Sequence, residues 1–534
     1  MAIVTTKIKR KYNNMQKISN KTITELNEDL FKDIISIRNN AFYGCNSLVS
    51  IVIPNNIRNL LGSAFRRCTS LTSATLFVNN TSCGQSIFED CSALRNVNVL
   101  SNFTSIPDSF CQNCTSLTSI NLPSSLTSIG NYAFKYCSSL SNVTIPNSVT
   151  NIGYQAFYNC TSLTSVNLPS SLTSIGGSVF QDCTNLASVN LPSSLTSIGA
   201  YAFQNTGLTS VSLPSSLTTI QSGAFQDCTS LTSANLPSSL TTIEYAVFQN
   251  CTSLASVNLP SSLTSIGSYA FQNCSYLSSI TIPDSVTNIY NNAFQGCTSL
   301  TSVSLPSSLT TIGHSAFKGC TSLTSVNLPS SLTSIGGSAF QGCTSLASVN
   351  LPSNLTSIGT DAFENTGLTS VNIPSGMPYD AFYVFRNCKN LKSVTLSGPI
   401  GPSWFSGCTS LEKLTINDAN ALTHGGSFAN LASINDISLV DDIVIPQNCF
   451  NGCTGIESVI IPQGASLDAY AFGNCTSLAS VTVNDTTPIS CTSVTFNSTS
   501  PNLVIYVPAS SVEAYKAASG WSNYADKIQA IPSE

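Results

Sequence analysis

Apolar and polar residues recur in the same order along most of this chain, and residues 317–339 show one complete copy. Val326 and Leu328 alternate with Ser325 and Asn327, which is the spacing of a β-strand with one buried and one exposed face. A single copy could not cover its own apolar side. The pattern therefore predicts that the copies stack on one another.

The end of the strand and the return of the chain can also be read from this copy. Pro329 has no amide hydrogen to donate to a ladder, so the strand is predicted to end there. Gly336 suits a backbone position with a positive φ, at which the chain turns back. We therefore predict one short strand and one irregular return in each copy.

A phenylalanine marks each copy, and most steps between these residues are 23 residues long, as from Phe317 to Phe340. The motif after Phe110 reads as one residue longer, and those after Phe203 and Phe363 as one residue shorter. A fixed period of this length with recurring leucines predicts a solenoid, which can grow without the size limit of a globular domain.

The copy resembles the BspA-type class of the leucine-rich repeat superfamily, whose pattern is L-x-x-I-x-L-P-x-x-L-x-x-I-x-x-x-A-F-x-x-C. The matching residues are Leu323, Val326, Leu328, Pro329, Leu332, Ile335, Ala339, Phe340 and Cys343. The match runs from about Phe42 to Phe472. The resemblance implies an α/β-type repeat solenoid, a right-handed leucine-rich-repeat superhelix of roughly twenty coils of 23 residues. Its parallel β-sheet is expected on the concave face, and both ends are expected to be capped.

Four segments follow from the pattern. Residues 1–21 form a basic tail, 22–35 an N-terminal helical cap, 36–484 the repeat solenoid and 485–534 a C-terminal strand-helix cap. The tail has no apolar run typical of a secretory signal, and we expect no membrane span. It is interpreted either as an arm that anchors the protein to an acidic partner or as a solvated tail.

Composition narrows the function classes. Charged residues make up only 8% of the chain, and the net charge is -5, so Ser, Thr and Asn supply the polar surface. A chain of this kind has no basic field that would attract nucleic acid. We therefore expect no nucleic-acid partner.

The residues that carry most catalytic and metal chemistry do not converge. All cysteines except Cys83, Cys111, Cys449 and Cys491 occupy one repeat slot, which predicts a row of small buried side chains rather than disulfides or a zinc site. The two histidines lie in different copies, and the acidic residues are spread singly. The sequence therefore predicts a protein that is not an enzyme, with no metal and no cofactor.

The outward strand positions predict rows of small, neutral, hydrogen-bonding groups on the concave face. The asparagines of these rows are Asn167, Asn190, Asn235, Asn258, Asn327 and Asn350. The rows serve either to keep the sheet soluble, with ladders among themselves, or to offer a long shallow surface to a protein or a glycan.

The pattern breaks between Met377 and Leu422. Trp404 takes the place of a small alanine, and Tyr379, Phe382 and Tyr383 cluster just before it. Our hypothesis is that these rings are pushed outward and contact a partner, because binding hot spots favour such side chains. The competing interpretation is a decayed repeat whose rings are repacked as local core.

The resemblance also carries an expected role, because BspA-type proteins are associated with attachment to host proteins and other cells. It implies a surface-displayed adhesion or protein-binding protein at the cell surface or outside the cell. Its partner would be a protein or a glycan on a host or neighbouring cell. Two interpretations stay open beside it: a structural component of a virion or fibre, with the basic tail as anchor, and an intracellular interaction scaffold in the cytoplasm. The oligomeric state stays undetermined.

Overall fold

The computed structural model describes residues 25–26, 31, 34–77, 82–100 and 102–532. The chain forms two compact units, Met1–Ser262 and Leu263–Glu534. Each unit is a stack of coils whose short strands pair in parallel with those of the next coil, so the predicted solenoid of stacked repeats is confirmed.

A coil typically contributes a first strand whose central apolar residue points inward, as in Ser165–Asn167, and at Thr144 a single bridge takes its place. Consecutive first strands keep the same register, so that Ser325 lies opposite Ser302 on one side and Ser348 on the other. One face of the sheet therefore carries the same slot of successive copies. In the first unit these strands are Glu25–Leu26, Ser50–Ile53, Ser73–Leu76, Asn96–Val99, Ser119–Asn121, Ser165–Asn167, Ser188–Asn190, Val211–Ser212, Ser233–Asn235 and Ser256–Asn258. In the second unit they are Ser279–Thr281, Ser302–Ser304, Ser325–Val326, Ser348–Val349, Ser370–Ile373, Ser393–Leu396, Lys413–Ile416, Asp436–Ser438, Ser458–Ile461, Ser480–Val483, Val504–Val507 and Ile528–Ala530.

The return of the chain is more regular than predicted, because it holds a second parallel strand. In the reference coil this strand is Ser334–Ile335, which pairs with Thr311–Ile312 and Ser357–Ile358. In the first unit the second strands are Ser36–Ile37, Asn59–Leu60, Ser82–Cys83, Ser105–Ile106, Ser128–Ile129, Asn151–Ile152, Ser174–Ile175, Ser197–Ile198, Thr219–Ile220 and Thr242–Ile243. In the second unit they are Ser265–Ile266, Asn288–Ile289, Thr311–Ile312, Ser334–Ile335, Ser357–Ile358, Val444–Ile445 and Ser466–Leu467.

Columns of equivalent side chains fill the interior of each unit. The ring of Phe317 stacks on Phe294 and on Phe340 with centroids 5.3 Å apart in both pairs. Leu323 and Ile335 are fully buried beside this column. Each such side chain contributes about 1.5–3 kcal/mol when it is completely buried, so a coil is stabilised mainly by its neighbours.

The glycine directly after the second strand, Gly336 in the reference coil, is required for a different reason from the one predicted. Gly336 is not among the residues with a positive φ. A Cβ atom at Gly336 would lie 2.5 Å from the amide nitrogen of His314 in the preceding coil, so close approach of two backbones requires glycine here. The left-handed positions come later, at Ser338 with φ 56° and Gly342 with φ 75°.

The slot directly before the buried cysteine recurs in this left-handed conformation. Glycine, asparagine and aspartate fill it in most coils, as at Gly342, Asn250 and Asp227. Asn and Asp tolerate this region better than other residues with a Cβ atom. The repeated Asn-Cys-Thr and Asn-Cys-Ser tripeptides therefore follow from a backbone requirement.

The sequence suggested that the motif after Phe110 is one residue longer than the others, but the structure shows that it has the usual length. The amide of Phe88 donates to the carbonyl of Phe110 at 2.8 Å, a bond that elsewhere runs from the phenylalanine to the alanine slot. Phe110 therefore fills the alanine slot and Cys111 fills the phenylalanine slot, both fully buried. The pair Cys111 and Cys114 belongs to the core, and the period is unbroken.

The ends differ in how far the structure describes them. The predicted basic tail, 1–21, and most of the predicted helix, 22–35, lie outside the described residues. Glu25–Leu26 forms a strand that pairs with Ser50 and Ile51, so the helix prediction is wrong at these two residues. Pairing with the exposed edge of the first sheet overrides the helical periodicity there.

The C-terminal segment, 485–534, combines short helices and strands. Its elements are the strand Val504–Val507, the 3-10 turn Ala509–Ser511, the α-helix Val512–Ala517, the 3-10 segment Trp521–Lys527 and the strand Ile528–Ala530. Tyr515 and Trp521 are fully buried, and Nε1 of Trp521 donates to the carbonyl of Ile489 at 2.7 Å. No helix in the described part of the chain is long and apolar enough to cross a membrane.

Candidate functional site

The strand face of each unit carries the predicted rows of neutral side chains. Asn167, Asn190, Asn235, Asn258, Asn327 and Asn350 are all exposed. Nδ2 of Asn258 donates to Oδ1 of Asn235 at 3.4 Å, so neighbouring coils are linked along the row. A role of these asparagines in binding stays a prediction.

A second row lies directly after the phenylalanine slot of each copy, and glutamine is its commonest member. Nε2 of Gln226 donates to Oε1 of Gln249, and Gln272 donates to Gln295 in the same way, both at 2.7 Å. The charged members of this glutamine row are Arg66, Glu89, Lys135, Lys318, Glu364 and Arg386. The sequence analysis overlooked this row, although a fixed slot in which glutamine gives way to charge is a readable signal.

Part of the predicted contact cluster is exposed. The exposed fractions are 46% for Tyr379 and 50% for Phe382. The ring of Phe382 lies 6.1 Å from that of Tyr383, and the guanidinium of Arg386 covers the Tyr383 ring at 4.6 Å. Stacking of this kind orients Arg386 and adds a cation–π attraction. We call Tyr379, Phe382, Tyr383 and Arg386 the contact patch.

Trp404 does not belong to this patch, and the prediction that it is pushed outward is wrong. Its side chain is 0% exposed, and its Nε1 donates to the carbonyl of Ala381 at 2.8 Å. The coil here is three residues shorter than the period, and Gly401 lies so close that a Cβ atom would collide with Trp404. The large ring therefore fills space that the shorter coil leaves, as the repacking interpretation had it for this residue.

An ionic cluster connects the contact patch to the glutamine row. Nη2 of Arg386 lies 2.7 Å from Oε1 of Glu364 and 3.3 Å from Oδ1 of Asp361. Glu364 is only 8% exposed and also accepts hydrogen bonds from Gln341 and Asn387. Burial, with the neighbouring Glu364 charge, raises the pKa of Asp361, while Arg386 and Lys318 act in the opposite direction.

A groove of about 460 Å³ opens beside this cluster in the second unit. Its walls are formed by Lys318, Gly319, Gln341, Gly342, Glu364, Asn365, Asn387 and Lys389. Gly296, Gly319 and Gly342 fill the left-handed slot in three successive coils, and the last two leave the space open where many other coils carry an amide or a carboxylate side chain. The Oε1 atom of Gln341 is buried there and has no hydrogen-bond partner.

The first unit holds an aromatic cluster that the sequence analysis also missed. The ammonium of Lys135 lies 5.1 Å from the ring centroids of Tyr132 and Tyr136 and 4.8 Å from that of Tyr158. Tyr132 packs edge-on against Tyr154 at 5.6 Å. Burial lowers the pKa of Lys135, which weakens the preference for its charged form. We call these four tyrosines the tyrosine cluster.

The slot cysteines are buried, and none of the 21 cysteines, all of which the structure describes, forms a disulfide. They are more than small apolar side chains, because the thiol of Cys343 donates to the carbonyl of Phe317 in the preceding coil at 3.2 Å. Burial raises the pKa of Cys343 to about 12, so it stays protonated and able to donate. Where Thr206 replaces cysteine, its hydroxyl donates to the carbonyl of Phe203 at 2.9 Å.

Each histidine contacts a neighbouring part of the stack, and the ring of His424 lies 6.5 Å from that of Tyr379. Nδ1 of His314 accepts from the amide of Gly337 at 3.1 Å, and Nδ1 of His424 lies 2.8 Å from the hydroxyl of Thr423. In the part of the chain that the structure describes, no three His, Cys, Asp or Glu side chains are placed to hold a metal ion.

Several solved structures are similar to this chain. A leucine-rich cell surface protein from Faecalibacterium prausnitzii is 27% identical over 68% of this chain and 83% of its own, with a TM-score of 0.37. A leucine-rich repeat protein from Bacteroides ovatus is 22% identical over 82% of this chain and 92% of its own, with a TM-score of 0.33. The pneumococcal vaccine antigen PcpA is 18% identical over 74% and 79%, with a TM-score of 0.29. The search of curated proteins found no significant match.

A family profile described as "BspA type Leucine rich repeat region (6 copies)" matches most of the sequence. The matched residues are 16–127, 104–232, 219–339, 310–399 and 383–502. The matches overlap and together extend over the whole repeat array. The chain therefore belongs to the BspA-type leucine-rich repeat family.

Proposed function

We propose that this chain is a protein-binding repeat protein, displayed on a cell surface, that attaches to a protein of a host or neighbouring cell. One observation carries the proposal: the contact patch exposes Tyr379 and Phe382 next to the Arg386–Tyr383 stack. Tyrosine and arginine are enriched among the residues that dominate binding energies.

The surroundings of the patch support a contact role. The first strands from Ser119–Asn121 to Ser370–Ile373 present only Ser, Thr and Asn among their polar residues. Small neutral side chains of this kind give little specificity, and each contributes little to the free energy of binding. The contact patch lies in the return of the chain between the strands Ser370–Ile373 and Ser393–Leu396, and its large rings and one guanidinium supply the buried area and the directed hydrogen bonds that an interface needs.

The binding test uses the full chain immobilised on beads, with adherence measured to purified matrix proteins and to cell layers. The double variant Tyr379→Ala, Phe382→Ala should lose adherence at an unchanged melting temperature, because both rings are exposed. Tyr276→Ala is the matched control, since Tyr276 is 67% exposed in a regular coil of the same unit. Unchanged adherence in the double variant, or equal loss in the control, contradicts the role of the patch.

Location is tested separately, by exposing intact source cells to a protease and following this chain. Cleavage on intact cells supports surface display. Recovery in the soluble cytoplasmic fraction points to the intracellular scaffold, and recovery with purified particles points to the virion or fibre component. Either of these two outcomes contradicts surface display, while the binding test still decides the role of the contact patch.

A further inference from the structure

The groove between Lys318 and Lys389 has the chemistry of a ligand site. Its volume of about 460 Å³ lies within the range of about 300–1,000 Å³ in which proteins bind small molecules. Its lining residues are polar, charged or glycine, and carbon atoms of these residues contribute a large share of the lining surface. We propose that it binds an acidic sugar, such as a uronic or sialic acid residue of a glycan.

Charge is the first argument for an anionic ligand. Lys318 is the sole Lys or Arg of the sequence between Lys135 and Arg386. Lys389 adds a second ammonium on the groove, whereas the Glu364 carboxylate at its floor is already paired with Arg386 at 2.7 Å. Asp361 shares Arg386 with Glu364, so two ammonium groups and one guanidinium stand against two carboxylates. The remaining positive charge in and beside the groove attracts a carboxylate.

The second argument is the buried acceptor. Oε1 of Gln341 has no hydrogen-bond partner, and Nε2 of the same amide is already engaged by Glu364. A buried acceptor without a donor lowers stability, so a ligand hydroxyl that donates to it is favoured. Asn365 and Asn387 add amides to the walls. A sugar acid offers a carboxylate to the lysines and hydroxyl hydrogens to Gln341, whereas an acidic amino-acid side chain offers only the carboxylate.

The groove also follows from the repeat itself. Gly319 and Gly342 occupy the left-handed slot with φ 72° and 75°. In other coils that slot carries a side chain that bonds to its neighbour, as Asn250 does with Asp227 at 2.8 Å. Gly296 fills the same slot in the preceding coil, so three successive glycines remove that ladder beside the groove. Neither glycine and neither lysine belongs to the contact patch, so the proposal does not depend on protein binding.

The test is isothermal titration calorimetry of the full chain with sialyllactose and with a glucuronic-acid disaccharide. Lactose is the neutral control, and a tetraglutamate peptide is the acidic competitor. At least one acidic saccharide should bind, about tenfold or more tightly than lactose, and its binding should weaken as salt rises. Absence of binding by both acidic saccharides, or binding of tetraglutamate alone, overturns the proposal.

Two variants and one matched control test whether the ligand binds in the groove, and all three changes should preserve the fold. Lys318→Gln introduces the commonest residue at this slot, and it should weaken binding about tenfold by removing one charged hydrogen bond. Gly342→Asn fills the groove with an amide that the left-handed slot accepts, since a Cβ atom there meets nothing closer than 3.9 Å. It should abolish binding. Gly44→Asn makes the same change in the same slot of the first unit, where nothing lies within 4 Å of the added atom, and should leave binding unchanged. Equal affinity in all three variants overturns the proposal.

Discussion

The tyrosine cluster and the contact patch both place aromatic rings outside a stack of coils, and they do so by opposite means. Around Lys135 the period is intact, and the buried rings of Phe134 and Phe157 stack normally at 5.2 Å. The tyrosines simply occupy variable slots of the turns. At the contact patch the coil itself is rebuilt, because the step from Phe385 to Phe405 is three residues short. The tyrosine cluster thus results from substitutions within coils of normal length, whereas the contact patch lies beside a coil that has lost three residues.

Deletion disturbs the return of the chain more than the sheet. The first strands Ser370–Ile373, Ser393–Leu396 and Lys413–Ile416 continue in register through the shortened coil. Residues 359–443, all of which the structure describes, form no second strand, and a single bridge joins Ile400 to Leu422. The comparison teaches that the strand face tolerates a lost segment, provided that a side chain replaces the lost volume on the other side.

Trp404 is that side chain, and its removal should have the largest effect. Trp404→Ala should lower the free energy of unfolding by about 3–5 kcal/mol, because it leaves a cavity and a carbonyl of Ala381 without its donor. Guanidinium unfolding measures the loss. Tyr136→Ala, in the tyrosine cluster, is the control and should cost less than about 1 kcal/mol. Similar losses in both variants would contradict the role of Trp404 in replacing the volume lost from the shortened coil.

The ionic cluster offers the next test, because glutamines occupy the same slots elsewhere. Arg386→Gln should destabilise the protein by about 1–3 kcal/mol, since Glu364 keeps a buried charge without its guanidinium. Adding Glu364→Gln should recover most of this loss, because Gln226 and Gln249 form such a ladder in a regular coil. Urea unfolding of both single variants and the double variant completes the cycle. A double variant as unstable as Arg386→Gln contradicts this exchange.

The pH dependence of the melting temperature tests the contribution of Asp361 to the ionic cluster. Burial and the Glu364 charge raise its pKa above the ordinary value of 3.8. Its contribution to stability is therefore fully present below that value and is lost as pH rises through the pKa of the folded state. Asp361→Asn cannot ionise, so it should raise the melting temperature at neutral pH and leave it unchanged in acid below pH 3.8. Asp436→Asn, in an exposed pair with Lys413, should show no such gain. A gain of equal size at both pH values would contradict this origin.

Lys135 should give the smallest effect of the series. Contacts with three tyrosine rings favour its ammonium by about 0.5–1 kcal/mol each at exposed sites, but burial lowers its pKa and opposes them. Lys135→Met keeps the apolar stem and should therefore change the free energy of unfolding by less than about 1 kcal/mol. Thermal melting is sufficient to measure this. A loss as large as that of Trp404→Ala would mean that the tyrosine cluster holds its coils together.

The core was predictable because each copy repeats its own burial pattern. Val326 and Leu328 were assigned inward from strand spacing and Cys343 from its repeat slot, and all three are buried. The second strand was not predictable, because two residues such as Ser334 and Ile335 give no periodic signal. Its pairing is a property of the stack and arises only when equivalent backbone groups of adjacent coils meet.

The surface was harder to predict, for reasons that differ by residue. The pattern indicated that a glycine is required at Gly336. The sequence alone cannot distinguish the two possible reasons, a positive φ and a close approach of two backbones. Trp404 was recognised as too large for its slot, while the compensating shortness of its coil and the role of Gly401 needed coordinates. Lys318 and Lys135 occupy a slot in which glutamine is the commonest residue. Glutamines in this slot form hydrogen bonds from one coil to the next, and only the structure shows that a charged residue replaces such a bond.

The constant register has a consequence for how the length of this protein can change. Ser302, Ser325 and Ser348 are equivalent neighbours, and the segment from Phe317 to Ala339 begins and ends at matching points. Loss of that whole segment would bring Phe340 onto Phe294 with the same contacts on both sides. Unequal recombination between near-identical stretches of its gene can therefore add or remove whole coils, whereas a single inserted or deleted residue demands a local rearrangement.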